Sequence, residues 1–421
     1  MSPLVPLTTF QGLTVKDLAV LVNGRHLIVW GCGFLGRTLK RCLDRNGLPV
    51  TAYCDANSTL QGTLVDGVTV LSPEEALQAA KAKELFLLIA SAFHGQTIEK
   101  NCLDAGLEKE IDFLGYRRLS RPEAAVDISG ISNLGPQTGT TPTSGAYMPV
   151  AVYEKVLAKL MQEIPLLTCV DLSPWGEPLL NPDVGAIIQL TEKSVPCKLS
   201  TRLQTLERLE QVIAAQPSQL VITVNGQGKA YEAHDEGASW QTLLTNLLSL
   251  KELLIKHRPK TLVAVLCHRY KEDLPEDLAP LRTLCSDLGF TCVFDWPYLS
   301  SYDAILAMCD GQALDAHDQQ ILAHLPWRFE RVLEAAKQEA HKPCLCQRIF
   351  PVIQWDCSVA LCHLYKTPMV AKDFLALPMD ELLRLRHVHE HCGHCQAFGL
   401  HRLDIDVLLK RYATHDMLFP L

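Results

Sequence analysis

Several features that the sequence lacks exclude whole classes of protein. It has no excess of positive charge, because 39 Lys and Arg residues are outnumbered by 47 Asp and Glu residues, which gives a net charge of −8. Broad binding to nucleic acid or to an anionic membrane is therefore not expected, since both need a basic face. The longest apolar run, near ELFLLIASAF, is too short to span a bilayer. The opening residues MSPLVPLTTF lack the basic and apolar regions of a signal peptide, so we expect a cytoplasmic protein.

The composition is that of a globular protein with an unusual number of thiols. The 421 residues suffice for two or three domains, and 48% of them are hydrophobic and 20% charged. In a reducing compartment the 16 cysteines are not expected to form disulfides, so grouped cysteines indicate metal or redox chemistry. Half of them stand singly in apolar or helical stretches, where we expect small core residues: Cys42, Cys102, Cys169, Cys197, Cys267, Cys285, Cys292 and Cys309.

The first segment carries a glycine motif between a strand and a helix. The β-rich run HLIVW leads into GCGFLG and then into the helical pattern RTLKRCLDRNG, so that Gly31, Gly33 and Gly36 fit G-x-G-x-x-G. A second strand, PVTAYC, ends at Asp55, where a ribose-binding acid would stand. This context predicts a Rossmann-like domain over residues 1–120. Nucleotide binding and packing alone both remain open for the glycines.

A longer stretch of the same segment supports the fold. DANSTLQGTLVDGVTVLSPEE resembles the small Rossmann-like modules that are fused to sugar-modifying and methyltransferase proteins. The ligand of those modules is often unknown, so this resemblance implies a fold more than a ligand.

The middle segment repeats strand and helix patterns from VDIS to FTCVFDW. Such alternation predicts a (β/α) barrel or an open parallel sheet, here over residues 121–325. A phosphate-binding P-loop is not predicted, because GPQTGTT lacks the required lysine.

Motifs within residues 125–300 resemble the partial barrel of radical S-adenosylmethionine (radical SAM) enzymes. WGEPLLNPD is similar to that family's GGEPLL-x-P strand end, and KLSTRL is similar to its L-x-T-N-G strand end, with Arg202 in place of the asparagine. The resemblance implies a partial (β/α)6 barrel that resembles a TIM barrel, and it assigns Gly176 and Glu177 to binding the amino group of a methionine-like ligand. The residue chemistry alone leaves a second interpretation of Glu177, an acid that caps a helix.

The loop that defines radical SAM chemistry is altered. The family uses C-N-L-x-C-x-x-C, whose three thiolates hold a [4Fe–4S] cluster. Here SNLGPQTG lies in register, and Ser132, Pro136 and Gly139 occupy the three cysteine positions. No other cysteine trio in the chain has this spacing. We therefore do not expect ordinary radical initiation.

The last segment, residues 326–421, groups its cysteines around a predicted β-hairpin, FPVIQWDCSVAL. Four thiolates from a hairpin and a distant C-x-x-C loop would suit zinc or an iron–sulfur cluster. The segment resembles the shortened SPASM (twitch) domain of radical SAM enzymes, which implies one auxiliary [4Fe–4S] cluster held by Cys344, Cys362, Cys392 and Cys395. In this alignment Cys357 replaces a usual glycine, and either Cys346 or Cys357 is an alternative ligand. Four histidines near the C-x-x-C keep zinc open as the metal, although they also suit a solvated helix end: His387, His389, His391 and His394.

Three functions follow from these patterns. The first is a degenerate radical SAM/SPASM protein that acts as a substrate-binding or electron-transfer partner in a sugar, nucleotide or peptide modification pathway. Its partner would be an active radical SAM enzyme, or a peptide or small-molecule substrate. The second is an enzyme with non-radical chemistry on a nucleotide, a sugar or S-adenosylmethionine bound in the barrel. The third is a zinc-stabilised scaffold.

Overall fold

The computed structural model describes residues 12–403 except for positions 92–93, 120–121, 132–145, 165–166, 236, 271–274, 296–298, 300–301, 326, 343, 345–348 and 364. Within these described residues, no helix is both long and apolar enough to cross a membrane.

The first sheet has six strands in the order β3-β4-β2-β1-β5-β6. Its strands are β1 (His26–Trp30), β2 (Val50–Cys54), β3 (Leu64–Val65), β4 (Val68–Leu71), β5 (Leu85–Ile89) and β6 (Phe113–Gly115). The accompanying helices are α1 (Val15–Val22), α2 (Phe34–Arg45), α3 (Pro73–Lys81) and α4 (Gly95–Asp104). All pairings are parallel except that of β3 with β4. Separate apolar clusters pack on its strands, as in a sheet covered by helices on two faces.

Local sequence explains where these helices begin. Ser72 precedes α3 and accepts a hydrogen bond from the Glu75 backbone, while the Glu75 carboxylate accepts one from the Ser72 backbone. This reciprocal capping box, with Pro73 in the first turn, fixes the start of the helix. Thr14 and Asp17 form the same box at the start of α1.

The second sheet begins with six parallel strands in chain order. They are β7 (Glu123–Val126), β8 (Cys169–Asp171), β9 (Cys197–Thr201), β10 (Gln219–Asn225), β11 (Leu262–His268) and β12 (Thr291–Asp295). The helices between them are α5 (Val150–Glu163), α6 (Val184–Ser194), α7 (Leu209–Ala215), α8 (Lys229–His234), α9 (Trp240–His257) and α10 (Pro275–Leu288). This sequential arrangement is that of a partial (β/α)6 barrel. The predicted α/β fold class is confirmed.

The C-terminal part continues the second sheet. Its strands β13 (Ile349–Ile353), β14 (Val359–Cys362) and β15 (Tyr365–Ala371) extend it beyond β7, and β13 pairs with β7 in parallel. Strands β13 and β14 form the predicted hairpin, and Cys357 in its turn has φ +69°, a conformation that favours the glycine it replaces. The helices of this part are α11 (Tyr302–Cys309), α12 (Ala316–His324), α13 (Phe329–Gln338), α14 (Met379–His387) and α15 (Glu390–Ala397).

Candidate functional site

The glycine motif at the β1–α2 turn is held by close packing. A Cβ on Gly36 would lie 1.9 Å from the Gly31 carbonyl oxygen, and one on Gly31 would lie 2.7 Å from the Ala90 carbonyl oxygen. Gly31 also has φ +126°, which other residues rarely adopt. Gly33, which precedes the first residue of α2, would meet nothing within 4 Å. Close packing therefore requires glycine at positions 31 and 36, whereas at Gly33 there is room for a larger side chain.

Asp55 is bound to the same turn. One carboxylate oxygen accepts a hydrogen bond from the Cys32 N–H at 2.8 Å, and the other accepts one from the Asn57 N–H at 2.9 Å. Burial, with a smaller contribution from Asp55, raises the pKa of the Cys32 thiol to about 12. The predicted ribose-binding acid thus ties the ends of β1 and β2 together. Its role toward a nucleotide stays a prediction.

Gly176 lies where the segments after β7 and β8 touch. Its N–H donates to the Asp127 carboxylate at 3.2 Å, and a Cβ at this position would lie 1.4 Å from the Ser129 carbonyl oxygen. Only glycine fits such a backbone approach. The two strand ends are consequently locked together at the carboxyl end of the barrel.

Glu177 is buried, with 5% of its surface exposed, and its carboxylate accepts three hydrogen bonds. The donors are the Leu179 N–H at 3.1 Å, the Thr201 hydroxyl at 3.0 Å and the Arg202 N–H at 3.2 Å. Burial raises the pKa of this carboxyl, and the three donors oppose that rise. Glu177 caps the short 3-10 helix Pro178–Leu180, as its second interpretation anticipated. The same residue also borders a cavity, so capping does not remove it from a ligand site.

This cavity, about 160 Å³ in volume, lies beyond the carboxyl ends of β8, β9 and β10. Its lining includes hydroxyl groups, an aromatic ring and two charged side chains, among them Ser173, Trp175, Glu177, Ser200, Arg202 and Thr223. Ligands of parallel α/β folds commonly bind at this end of the strands. The structure therefore brings Gly176 and Glu177 to the expected end of the barrel.

A polar network begins at Arg202, which lines the cavity. Its guanidinium pairs with the buried carboxylate of Asp235, which also accepts a hydrogen bond from the Asn225 amide at 2.9 Å. The β10–β11 register sets Asn225 opposite His268, whose Nδ1 lies 2.5 Å from the Asn225 Oδ1. Burial, with the nearby Arg202 charge, lowers the pKa of His268 to about 4. The imidazole is therefore neutral at pH 7 and donates through Nδ1.

Sequence motifs did not identify this network, because its members come from β10, β11 and the segments after β9 and α8. A second, half-buried group of charges was missed for the same reason. Lys198 lies 3.3 Å from the Asp171 carboxylate and 3.8 Å from that of Glu123, on adjacent strands. Burial opposes the charge on Lys198, but the two carboxylates outweigh it and raise the pKa of the amine. No short motif signals either arrangement.

The predicted metal ligands lie in or near one apolar cluster of the C-terminal part. Cys362 and Cys395 belong to one buried apolar cluster, and Cys344 packs against it. Cys392 is close enough to Cys344 and Cys362 that, after burial, their charges help raise the pKa of its thiol to about 11. Cys357 lies instead in the apolar core of the barrel. Cys346 lies outside the described residues, as do Ser132, Pro136 and Gly139 of the altered loop.

The histidines near the C-x-x-C make other contacts. His389 and His391 stack edge to face with ring centroids 5.3 Å apart, and the His394 Nε2 lies 3.1 Å from the Asp310 carboxylate. In the part of the chain that the structure describes, no group of three or more His, Cys, Asp or Glu side chains is arranged to hold a metal ion. The four-cysteine ligand set thus stays a prediction, supported by the position of its thiols in or near one apolar cluster.

Comparisons with known proteins find similarity only at the level of structure. No family model matches the sequence, and no curated protein matches it. Among solved structures, Streptococcus suis SuiB bound to the precursor peptide SuiA aligns over 72% of this chain and 71% of that chain, with a TM-score of 0.42 and 11% identity. The protein anSMEcpe with bound AdoMet and Cp18Cys peptide aligns over 66% of this chain and 87% of that chain, with a TM-score of 0.42 and 15% identity.

A third structure, BtrN in complex with AdoMet and 2-DOIA, aligns over 66% of this chain and 87% of that chain, with a TM-score of 0.36 and 10% identity. All three TM-scores are below 0.5, so these alignments add no argument to the family resemblance of the sequence motifs. Similarity at this level transfers no ligand or activity to this chain.

Proposed function

We propose that this protein is a degenerate radical SAM/SPASM-type protein that holds one [4Fe–4S] cluster in its C-terminal part and binds a substrate at the mouth of its barrel. It would serve as a substrate-binding or electron-transfer partner in a biosynthetic modification pathway. The observation that supports the proposal is that Cys344, Cys362 and Cys395 share one apolar cluster and that Cys392 lies close enough to feel the first two.

The donor chemistry of this cluster fits the proposed group. All four candidate ligands offer sulfur, which favours zinc or an iron–sulfur cluster over harder metals. Since burial raises the pKa of Cys392, loading must displace its proton, as metal binding to thiols generally does. When bound, a [4Fe–4S] cluster would supply one-electron transfer. The protein's own contribution is the surrounding apolar shell, which includes Trp327 and Leu400 and limits access of water.

The cavity at the barrel mouth supports binding of a small polar group. Its volume of about 160 Å³ is below the roughly 300–1,000 Å³ of pockets that enclose whole ligands, so it would enclose only the end of a larger molecule. Glu177 and Arg202 offer opposite charges there, although each is partly neutralised by protein contacts. The amino-acid end of S-adenosylmethionine, which carries both an ammonium and a carboxylate, would match this pair of charges, whereas each end of a peptide carries only one of them.

A specific observation favours the second candidate, an enzyme with non-radical chemistry on a nucleotide or sugar ligand. The neutral imidazole of His268 is oriented by Asn225, which is in turn held by Asp235. With Nδ1 donating to Asn225, Nε2 carries the lone pair of the ring and would accept a proton. This arrangement would supply a general base without any metal.

The deciding experiment measures iron, sulfide and zinc after anaerobic purification, together with electron paramagnetic resonance of the reduced protein. We expect about four irons per chain, as one [4Fe–4S] cluster requires. Cys362→Ser and Cys392→Ser should lose that iron, whereas Cys102→Ser, at a buried thiol in the first sheet's core, should keep it. Zinc without sulfide would instead support the scaffold function.

Two other outcomes would contradict the proposal. About eight irons per chain would mean that a second cluster is bound. Reductive cleavage of S-adenosylmethionine to 5′-deoxyadenosine would show that radical initiation is retained.

A further inference from the structure

A second cavity, about 510 Å³ in volume, lies between helix α2 and the barrel. Phe34, Arg37, Thr38 and Arg41 line one wall, and their spacing places them on one face of α2. The other wall comes from α6 and from residues at the amino ends of β9, β10 and β11: Gln189, Lys193, Pro196, Gln216, Lys260 and Leu262. The cavity therefore lies at the end of the barrel opposite the mouth described above.

The lining carries more positive than negative charge. The lining has two carboxylates, those of Asp66 and Glu192, and four cationic side chains: Arg37, Arg41, Lys193 and Lys260. Arg41 is paired with Glu192 at 2.6 Å, and Arg37 lies 3.9 Å from Asp66. Lys193 and Lys260 make no ion pair or hydrogen bond with any residue that the structure describes. Two ammonium groups thus remain to attract an anion.

Hydrogen bonds across the contact hold the two walls in place. The Arg41 guanidinium donates to the Glu192 carboxylate and to its backbone carbonyl, both at 2.6 Å. Arg45, one turn further along α2, donates to the carbonyls of Ser194 at 2.9 Å and Leu167 at 2.5 Å. Glu192 also accepts hydrogen bonds from the backbone N–H groups of Cys197 and Ser218, both at 2.8 Å. A cavity with fixed walls binds at a smaller entropic cost than one that must first form.

We propose that this cavity binds a phosphate-bearing small molecule of the nucleotide class. The phosphates would lie against Lys193, Lys260 and Arg37, since ammonium and guanidinium groups form strong, charge-assisted hydrogen bonds with them. Phe34 and Pro196 give the base an apolar surface, and the amide of Gln189 gives it hydrogen-bond partners. The volume lies within the range that encloses small ligands.

The proposed site is separate from the other two candidate sites. Neither the glycines of the β1–α2 turn nor Asp55 lines it, and it shares no residue with the cavity around Glu177. The inference therefore does not depend on the proposed function. Because the ligand would contact both helix α2 and the barrel, its binding should raise the melting temperature of the whole protein.

The test is calorimetric titration of the purified full chain with ADP, pyrophosphate and adenosine. ADP should bind more tightly than either fragment. The Lys193→Gln/Lys260→Gln double variant should bind ADP at least tenfold more weakly, since each lysine contributes a charged contact. The matched control, Lys81→Gln/Lys155→Gln, removes the same charge from exposed sites elsewhere and should bind ADP like the native protein. Melting curves without ligand verify that all variants fold.

A further variant separates this cavity from the glycine turn. Gly33→Asp places a carboxylate in that turn, where there is room and where aspartate is a good helix cap. ADP affinity should survive this change. The inference is overturned if ADP fails to bind at about millimolar concentration, if ADP binds no better than pyrophosphate, if the two lysine double variants behave alike, or if Gly33→Asp abolishes binding.

Discussion

Replacing Glu177 with glutamine tests what this buried carboxylate does. Its two oxygens accept from the backbone N–H groups of Leu179 and Arg202 and from the hydroxyl of Thr201. A glutamine amide keeps one acceptor oxygen and turns an NH2 group toward the remaining donors. The Thr201 hydroxyl can rotate, but a backbone N–H cannot, so at least one buried N–H would lose its partner.

The size of the effect follows from these contacts. A lost hydrogen bond to a charged group costs about 1.5–3 kcal/mol, and an unsatisfied buried donor costs about 1–3 kcal/mol. Removing a charge whose burial already raises its pKa offsets part of this. We therefore expect Glu177→Gln to lower the free energy of unfolding by about 2 kcal/mol, which for a chain of 421 residues corresponds to a melting temperature lower by roughly 2 °C. Glu177→Ala, which leaves all three donors without their acceptor, should lower the free energy of unfolding further.

The assay combines thermal unfolding with amide hydrogen exchange. In Glu177→Gln, the Leu179 and Arg202 amides should exchange faster than in the native protein. The control is Glu154→Gln, an exposed acid on α5 whose replacement should change stability by less than about 0.5 kcal/mol. If the two variants unfold at the same temperature and the two amides stay protected, the capping role is refuted and Glu177 is available for a ligand alone.

Two further predictions concern other parts of the fold. Gly36→Ala should lower the free energy of unfolding by about 2–3 kcal/mol, because its Cβ would lie 1.9 Å from the Gly31 carbonyl oxygen. Gly33→Ala meets no atom within 4 Å and only replaces the N-cap of α2 by a poorer one, so it should cost no more than about 1 kcal/mol. Urea unfolding of both variants decides, and equal stabilities would contradict the packing argument. Folding lowers the pKa of His268 from 6.5 to about 4, so as the pH drops the unfolded chain binds a proton first. The free energy of unfolding should therefore fall between pH 6.5 and pH 4, by at most about 3 kcal/mol. In His268→Gln, the free energy of unfolding should depend less on pH in this window, and an unchanged pH dependence would contradict the assignment.

Elements with strong local patterns could be predicted from the sequence. HLIVW coincides with β1 and PVTAYC contains β2, because β-rich runs next to glycine or helix signals define their own limits. The hairpin around Cys357 was also predicted, from the flanking apolar runs. Helices α11 to α13 follow no motif, and the sequence offered no prediction for them.

The chemistry of the site was less accessible, because it depends on contacts between distant strands. Gly176 and Glu177 could be found from a local motif. The pairing of Arg202 with Asp235 and of Asn225 with His268 depends on strand order and register, which local patterns do not specify. The hydrogen bond that Asp55 accepts from the Cys32 N–H could not be predicted for a similar reason, since it exists only once β1 and β2 lie side by side.

The parallel pairing of β13 with β7 has a consequence for how the protein is made. Strand β7 is synthesised about 220 residues before its neighbour β13, so one edge of the barrel sheet has no pairing strand until β13 is made. At about 5–20 residues per second, this wait lasts roughly 10 to 45 s. An open strand edge pairs readily with other chains. Synthesis of this protein should therefore depend on chaperones that shield nascent chains.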